Sequence, residues 1–150
     1  MQPRPIRHRR ARRTDFDAVA ALLVAAGAAV LTDDRAGRRR FRRIVADLGS
    51  DLYVATIDDR LCGIVHISYA RHLLAGAKAT LELLVVAPQV RRRGVATSLT
   101  RLAATRARRR GCHTLSLRNV GVEPAPAFFA HLGWRIAGEQ LLFDLTAGAD

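Results

Sequence analysis

The sequence has little of what a stapled, metal-bound or membrane-spanning protein needs. Among its 150 residues are two cysteines, a single lysine (Lys78) and three glutamates (Glu82, Glu123 and Glu139). Cys62 and Cys112 lie far apart among apolar or glycine neighbours. No Cys-x-x-Cys, His-Glu-x-x-His or Cys/His pair at zinc spacing occurs. Free thiols in a reducing compartment follow as the simplest reading, with no metal implied. No apolar run approaches the ~20 residues of a spanning helix. The start of the chain superficially resembles an export signal, because basic residues 4–13 precede an apolar run over 18–31. Asp15 and Asp17 interrupt that junction, and Thr14-Asp15-Phe16-Asp17 reads instead as a helix N-cap with acids in the first turn. A cytoplasmic protein is the expectation. Aromatics are scarce as well, and no RNP-type pattern, zinc finger or recognition helix marks a nucleic-acid reader.

What is abundant is apolar bulk and arginine. Hydrophobic residues make up 49% of the chain, so it folds into a globule rather than staying disordered. Its length suits one domain over residues 1–150, and no repeat or linker divides it. The formal net charge is +12, nearly all of the positive charge being arginine. Guanidinium groups favour anions through planar bidentate contacts. A nucleotide cofactor, nucleic acid, an acidic substrate and an acidic membrane all qualify. Charge alone does not choose among them, and a genome biased toward Arg and Ala codons explains an excess equally well.

The periodicities give a mixed α/β order. A weak basic strand over Ile6 to Arg10 precedes a helix from Thr14, with Phe16, Val19, Ala20 and Leu23 on one face and Gly27 near its end. A second helix fits Asp34 to Leu48, with Phe41, Ile44, Val45 and Leu48 inward and a fence of Arg38, Arg39, Arg40, Arg42 and Arg43 outward. Strands follow over Asp51 to Ile57, Leu61 to Tyr69 and Thr80 to Val86, the first two joined by a turn at Asp58-Asp59-Arg60. The third is almost continuously apolar, as a strand buried on both faces is. Val95 to Arg110 is helical and closes at Gly111. His113 to Arg118 is a strand, a short helix opens at Pro124 or Pro126, and Trp134 to Ala137 with Gln140 to Leu145 suggests a terminal hairpin. Such an exposed hairpin offers an edge for pairing two subunits.

Chemistry concentrates between Leu81 and Ala96. A buried strand ends at Pro88, the loop Arg91-Arg92-Arg93-Gly94-Val95-Ala96 follows, and an amphipathic helix begins inside it. Unpaired N–H groups and the dipole at a helix start make an anion cradle. Gly94 lets backbone approach a ligand without a Cβ, Ala96 keeps the next contact small, and residues 83–122 contain no Asp or Glu to cancel the field. Glu82 is the only glutamate inside an apolar strand, where an unpaired carboxylate is costly or shifts its pKa upward. That suits a base, and a structural ion pair with an arginine is the alternative.

These residues resemble the GNAT superfamily of N-acetyltransferases. Arg91-x-x-Gly94-x-Ala96 matches its [Q/R]-x-x-G-x-[G/A] loop. Leu81-Glu82-Leu83-Leu84-Val85-Val86-Ala87-Pro88 resembles its fourth strand, and Ala127-Phe128-Phe129-Ala130-His131-Leu132-Gly133-Trp134 its late helix. The resemblance implies an α/β domain with a mostly antiparallel twisted sheet, helices on both faces, and fourth and fifth strands that splay apart. It implies acetyl-CoA, or another acyl-CoA, as cosubstrate and an amine as acceptor. The amides of Arg93, Gly94, Val95, Ala96 and Thr97 would then hold the pyrophosphate, and Arg91 and Arg92 would reach phosphates. The backbone of Leu84, Val85 and Val86 would pair with the pantetheine arm and acyl carbonyl. Glu82 would be the catalytic base.

One departure stands out. Where the family pattern has a tyrosine that protonates the leaving thiolate, this chain has Phe129, which becomes a core or cofactor-wall residue. Water, Tyr69 or Tyr53 could stand in. Two rivals stay open: a non-catalytic acyl-CoA sensor of the same fold, and a basic nucleic-acid-binding module, which the missing motifs disfavour. The loops expected around Thr32 to Gly37 and His72 to Lys78 carry no readable acceptor preference.

Overall fold

The computed structural model describes residues 2–28, 35–117 and 126–138 of the chain. Among the described residues five strands form one sheet in sequence order: β1 (Arg7–Arg10), β2 (Ser50–Ile57), β3 (Arg60–His72), β4 (Gly76–Val86) and β5 (Leu115–Leu117). The first four pair antiparallel and β5 joins β4 in parallel. The α-helices among the described residues are α1 (Phe16–Ala25), α2 (Arg35–Ala46), α3 (Val95–Arg109) and α4 (Pro126–His131).

The turns follow local chemistry. Asp58 (φ 50°) and Asp59 (φ 61°) both take the left-handed conformation of a two-residue hairpin, with Ile57 pairing Arg60 across it. Helix α2 stops at Ala46, short of the expected Leu48. The Asp47 carboxylate accepts from the Gly49 N–H at 2.8 Å and the Ser50 hydroxyl at 3.3 Å, a local turn that competes with helix. Leu48 is therefore 89% exposed rather than part of the apolar face. The expected N-cap at Thr14 is also displaced. Arg13–Asp15 forms a 3-10 turn, and Asp15 accepts from the Arg12 N–H at 2.6 Å and from Arg9 at 2.7 and 2.9 Å.

The expected loop over His72 to Lys78 is strand instead. The β3–β4 ladder continues to His72 opposite Gly76, leaving only Leu73, Leu74 and Ala75 in the turn. Between His66, opposite Leu83, and Ile67, opposite Leu81, β4 carries one extra residue, Glu82. This β-bulge reverses the alternation of side chains along β4.

Both faces of the sheet are covered. On one, Gly63 receives α3: a Cβ there would lie 2.9 Å from Leu99 Cδ1 and 3.0 Å from Val95 Cγ1. On the other, α1 packs on β3 and β4 and α2 on β2. Ile64, Ile67, Leu81, Val54, Val65, Val85, Leu99, Val95 and Val19 are almost fully buried, each stabilising by about 1.5–3 kcal/mol. Trp134 to Gly138 carries no strand among the described residues, and its expected hairpin partner, Gln140 to Leu145, lies outside them, as do Arg118 at the expected end of β5 and Thr32 to Asp34. No described helix is long and apolar enough to cross a membrane.

Candidate active site

The carboxyl end of β4 leads through a 3-10 turn, Pro88–Val90, into three exposed arginines and then α3. Arg92 (φ 63°) and Gly94 (φ 82°) both sit in the left-handed region, which is strained for arginine and free for glycine. Gly94 is the N-cap of α3, and no side chain caps the helix. The first helical bond joins the Ser98 N–H to the Gly94 carbonyl at 2.9 Å. The N–H groups of Val95, Ala96 and Thr97 have no protein partner among the described residues, and nothing lies within 4 Å of the place a Gly94 Cβ would occupy. Unpaired amides, an open approach and a positive helix end fit a pyrophosphate. A groove of about 480 Å³ runs from Gly94 along α3 past Thr97, Ser98 and Arg101 to His8, whose Nε2 lies 2.8 Å from the Ser98 hydroxyl.

The edge of β4 that faces β5 continues this cradle. Ala79 N–H donates to the Thr114 carbonyl beside β5, and the β4–β5 ladder spans only Ala79, Thr80 and Leu81. Beyond the bulge, Ala87 N–H donates to Cys62 on β3 at 2.8 Å. Alternation then turns the N–H groups of Val86 and Leu84 toward the β5 side. Among the described residues no strand takes them there. The side chains of Leu84, Val85 and Val86 are buried, so only backbone is offered to a ligand.

Glu82 lies between these features, half-buried on the bulge. The Ser68 hydroxyl on β3 donates to Glu82 Oε1 at 2.5 Å. His66, on the same face of β3, is held below its usual pKa chiefly by burial, while the charges of Glu82 and Asp47 pull the other way. The imidazole is neutral at neutral pH, and Ser68 and Glu82 lie on the same face of the sheet. No arginine pairs with Glu82 among the described residues, contrary to a structural ion bridge.

Phe129 is buried and packs edge-on against Phe128 (5.1 Å between ring centres) and Trp134 (5.2 Å). Of the two tyrosines offered by the sequence as stand-in acids, Tyr69 is already engaged. Tyr69 donates to Asp51 Oδ2 at 2.6 Å on the sheet face under α3, opposite the Ser68 face, and burial with that bond pushes its pKa up. The guanidiniums of Arg10 and Arg106 lie over the Tyr53 ring, 5.2 and 5.7 Å from its centre. Asp51 itself is fully buried and binds Arg10 (3.1 Å), Arg106 (3.0 Å) and Arg110 (3.0 Å). Sequence reading passed over this cluster; the four-residue spacing of Arg106 and Arg110 on one helix face was its only visible sign.

The profile of the acetyltransferase (GNAT) family matches residues 18–134, well over half of the chain. The chain belongs to the GNAT acetyltransferase family. Solved GNAT-like structures share its fold at low identity. A predicted acetyltransferase from Clostridium acetobutylicum, solved with acetyl-CoA, is 17% identical with a TM-score of 0.77, covering 97% of this chain and 100% of that one. A ribosomal-protein-alanine N-acetyltransferase from Brucella melitensis biovar Abortus 2308 is 16% identical with a TM-score of 0.72, over 94% and 100%. A transcriptional regulator from Bacillus halodurans C-125 is 24% identical with a TM-score of 0.75, over 94% and 100%. The sequence has no significant relative among functionally curated proteins.

Proposed function

We propose that this GNAT protein is an acyl-CoA-dependent N-acyltransferase that moves an acetyl group from acetyl-CoA to a primary amine. The observation that carries the reading is the uncapped start of α3 at Gly94, reached directly from a bulged strand that presents Glu82. The amides of Arg93 to Thr97 hold the pyrophosphate, Arg91 and Arg92 pair with phosphates, and the β4 backbone from Leu84 to Val86 aligns the pantetheine arm. Phe129 contributes a wall from α4. Glu82, oriented by Ser68, takes a proton from the acceptor ammonium, directly or through water. The freed amine attacks the thioester carbonyl, whose oxygen accepts from the Val86 N–H as the C–S bond breaks. The thiol of CoA has a pKa of about 8.5, so its thiolate leaves without a strong acid. The second proton leaves the nitrogen to solvent as the amide forms, and solvent protonates the thiolate in place of the missing tyrosine.

Calorimetric titration with acetyl-CoA tests this. Saturable binding is expected, weakened about 100-fold (about 3 kcal/mol) in Gly94→Glu, which puts a carboxylate and a strained φ into the cradle. Absence of binding by the folded native chain overturns the proposal. Binding without turnover across a broad amine screen favours the sensor reading, which Phe129 in the tyrosine place supports.

A further inference from the structure

Arginine is not spread evenly over this chain. Helix α1 (Phe16–Ala25) contains none, whereas α2 is RAGRRRFRRIVA, half arginine and free of acidic residues. A uniform codon bias does not produce such neighbours. Arg38 is engaged, bonded to Asp17 at 3.1 Å and stacked over Phe16 at 4.4 Å. Arg35, Arg39, Arg42 and Arg43 are exposed and have no hydrogen-bond or ion-pair partner among the described residues. At 100° per residue these four share one side of the helix, opposite Phe41 and Ile44. Arg35, Arg39 and Arg43 follow one another at about 6 Å along the axis. The exposed Arg13 lies on the adjoining 3-10 turn, which packs against α2.

Of the row only Arg43, in the last turn, suits the dipole of the helix that bears it. Like charges four residues apart repel, and cations in the first turn oppose the dipole. The apolar face of α2 is turned into the core, so the helix has none to lay on a bilayer. Its exposed positions other than arginine are Ala36 and Ala46, with no aromatic or large apolar anchor of the kind protein interfaces use. A phosphate backbone needs neither, and the absence of an exposed ring on the helix suits a duplex better than unstacked bases. We propose that α2 and the adjoining 3-10 turn form a sequence-independent docking surface for the phosphate backbone of duplex nucleic acid. The proposal is independent of the acyltransferase reading.

Fluorescence anisotropy with a labelled duplex of about 20 base pairs, as DNA and as RNA, tests it at salt from about 50 to 200 mM. With four to five phosphate contacts the slope of log K against log salt is expected near −4, and equal for scrambled sequences. Arg35→Gln, Arg39→Gln, Arg42→Gln and Arg43→Gln together are expected to bring the slope close to −1 and to weaken binding at least 100-fold at the lowest salt. Circular dichroism and thermal melting show that this variant remains folded. Should it not fold, the two double variants, R35Q/R39Q and R42Q/R43Q, are each expected to lower the slope by about 2. No duplex binding, or binding unchanged in the folded variants, overturns the proposal. So does equal competition by polyglutamate, which assigns the surface to an acidic protein, or binding to phosphatidylserine vesicles without duplex binding.

Discussion

Glu82 sits where one strand holds a residue its neighbour does not match, and Ser68 across the gap donates to its carboxylate. A carboxylate held by a single hydroxyl keeps one oxygen for a substrate. With an acceptor amine from the screen, Glu82→Gln is expected to lower kcat about 10²-fold while acetyl-CoA binding is retained. Ser68→Ala is expected to lower kcat about 10-fold at constant KM for acetyl-CoA, and Ser68→Thr to restore it, since only the hydroxyl is required. Steady-state kinetics on the three variants decides this, and a Ser68→Ala loss confined to KM would remove Ser68 from the positioning role. Glu82 was legible because charge inside an apolar strand is conspicuous. Ser68 was not, because small polar residues alternate in any strand and a bulge leaves no mark in one sequence.

At the scale of elements, α3 depends on the flatness of β3 beneath it. Gly63→Ala would put a methyl group against Leu99 and Val95. The expected cost is about 1–3 kcal/mol of stability. It should bring weaker acetyl-CoA binding as the start of α3 is pushed from the sheet. Thermal melting and calorimetry read both, and a variant of unchanged stability and affinity would show that the helix does not need this close approach. The helices were readable from their periodicity and from Gly27 and Gly111. Their ends were less so: Asp47 and Asp15 redirect the backbone through side-chain bonds that the apolar pattern does not record. The turn between β3 and β4 shrank to Leu73, Leu74 and Ala75 because ladder pairing overrides the weak strand propensity of Gly76 and Ala77.

For the whole molecule, charge sets the response to pH. Burial holds His8 and His66 below their usual pKa, so the unfolded chain binds protons first as pH falls. Stability is expected to decline once pH drops below about 6.5. Asp15 is held low chiefly by its hydrogen bonds from Arg9. Burial pushes Asp51 up, but Arg106, Tyr69 and Arg110 outweigh it and leave it low as well. Their stabilisation is complete above about pH 4 and lost as pH falls further. Tyr69, pushed up, contributes below about pH 10 and loses that contribution above it. Melting temperature against pH should therefore be highest between about 7 and 9.5. Asp51→Asn should remove part of the acid limb and destabilise by about 3 kcal/mol, because three guanidiniums lose their shared anion. A profile that is level from pH 7 to 3 contradicts this.

The bulge at Glu82 also makes the strand a counter. From the turn at Leu73–Ala75, β3 and β4 must meet the loop at Gly94 with one residue of difference between them. Lengthening the tip of the hairpin leaves that difference intact and is silent at the site. Losing a single residue between Leu81 and Val86 would close the ladder into a smoother, better-paired sheet and exchange the inward and outward faces of everything beyond it. Length is therefore free at the tip of the hairpin and fixed beyond Leu81, where the count of residues from Glu82 to Gly94 decides which groups face the site.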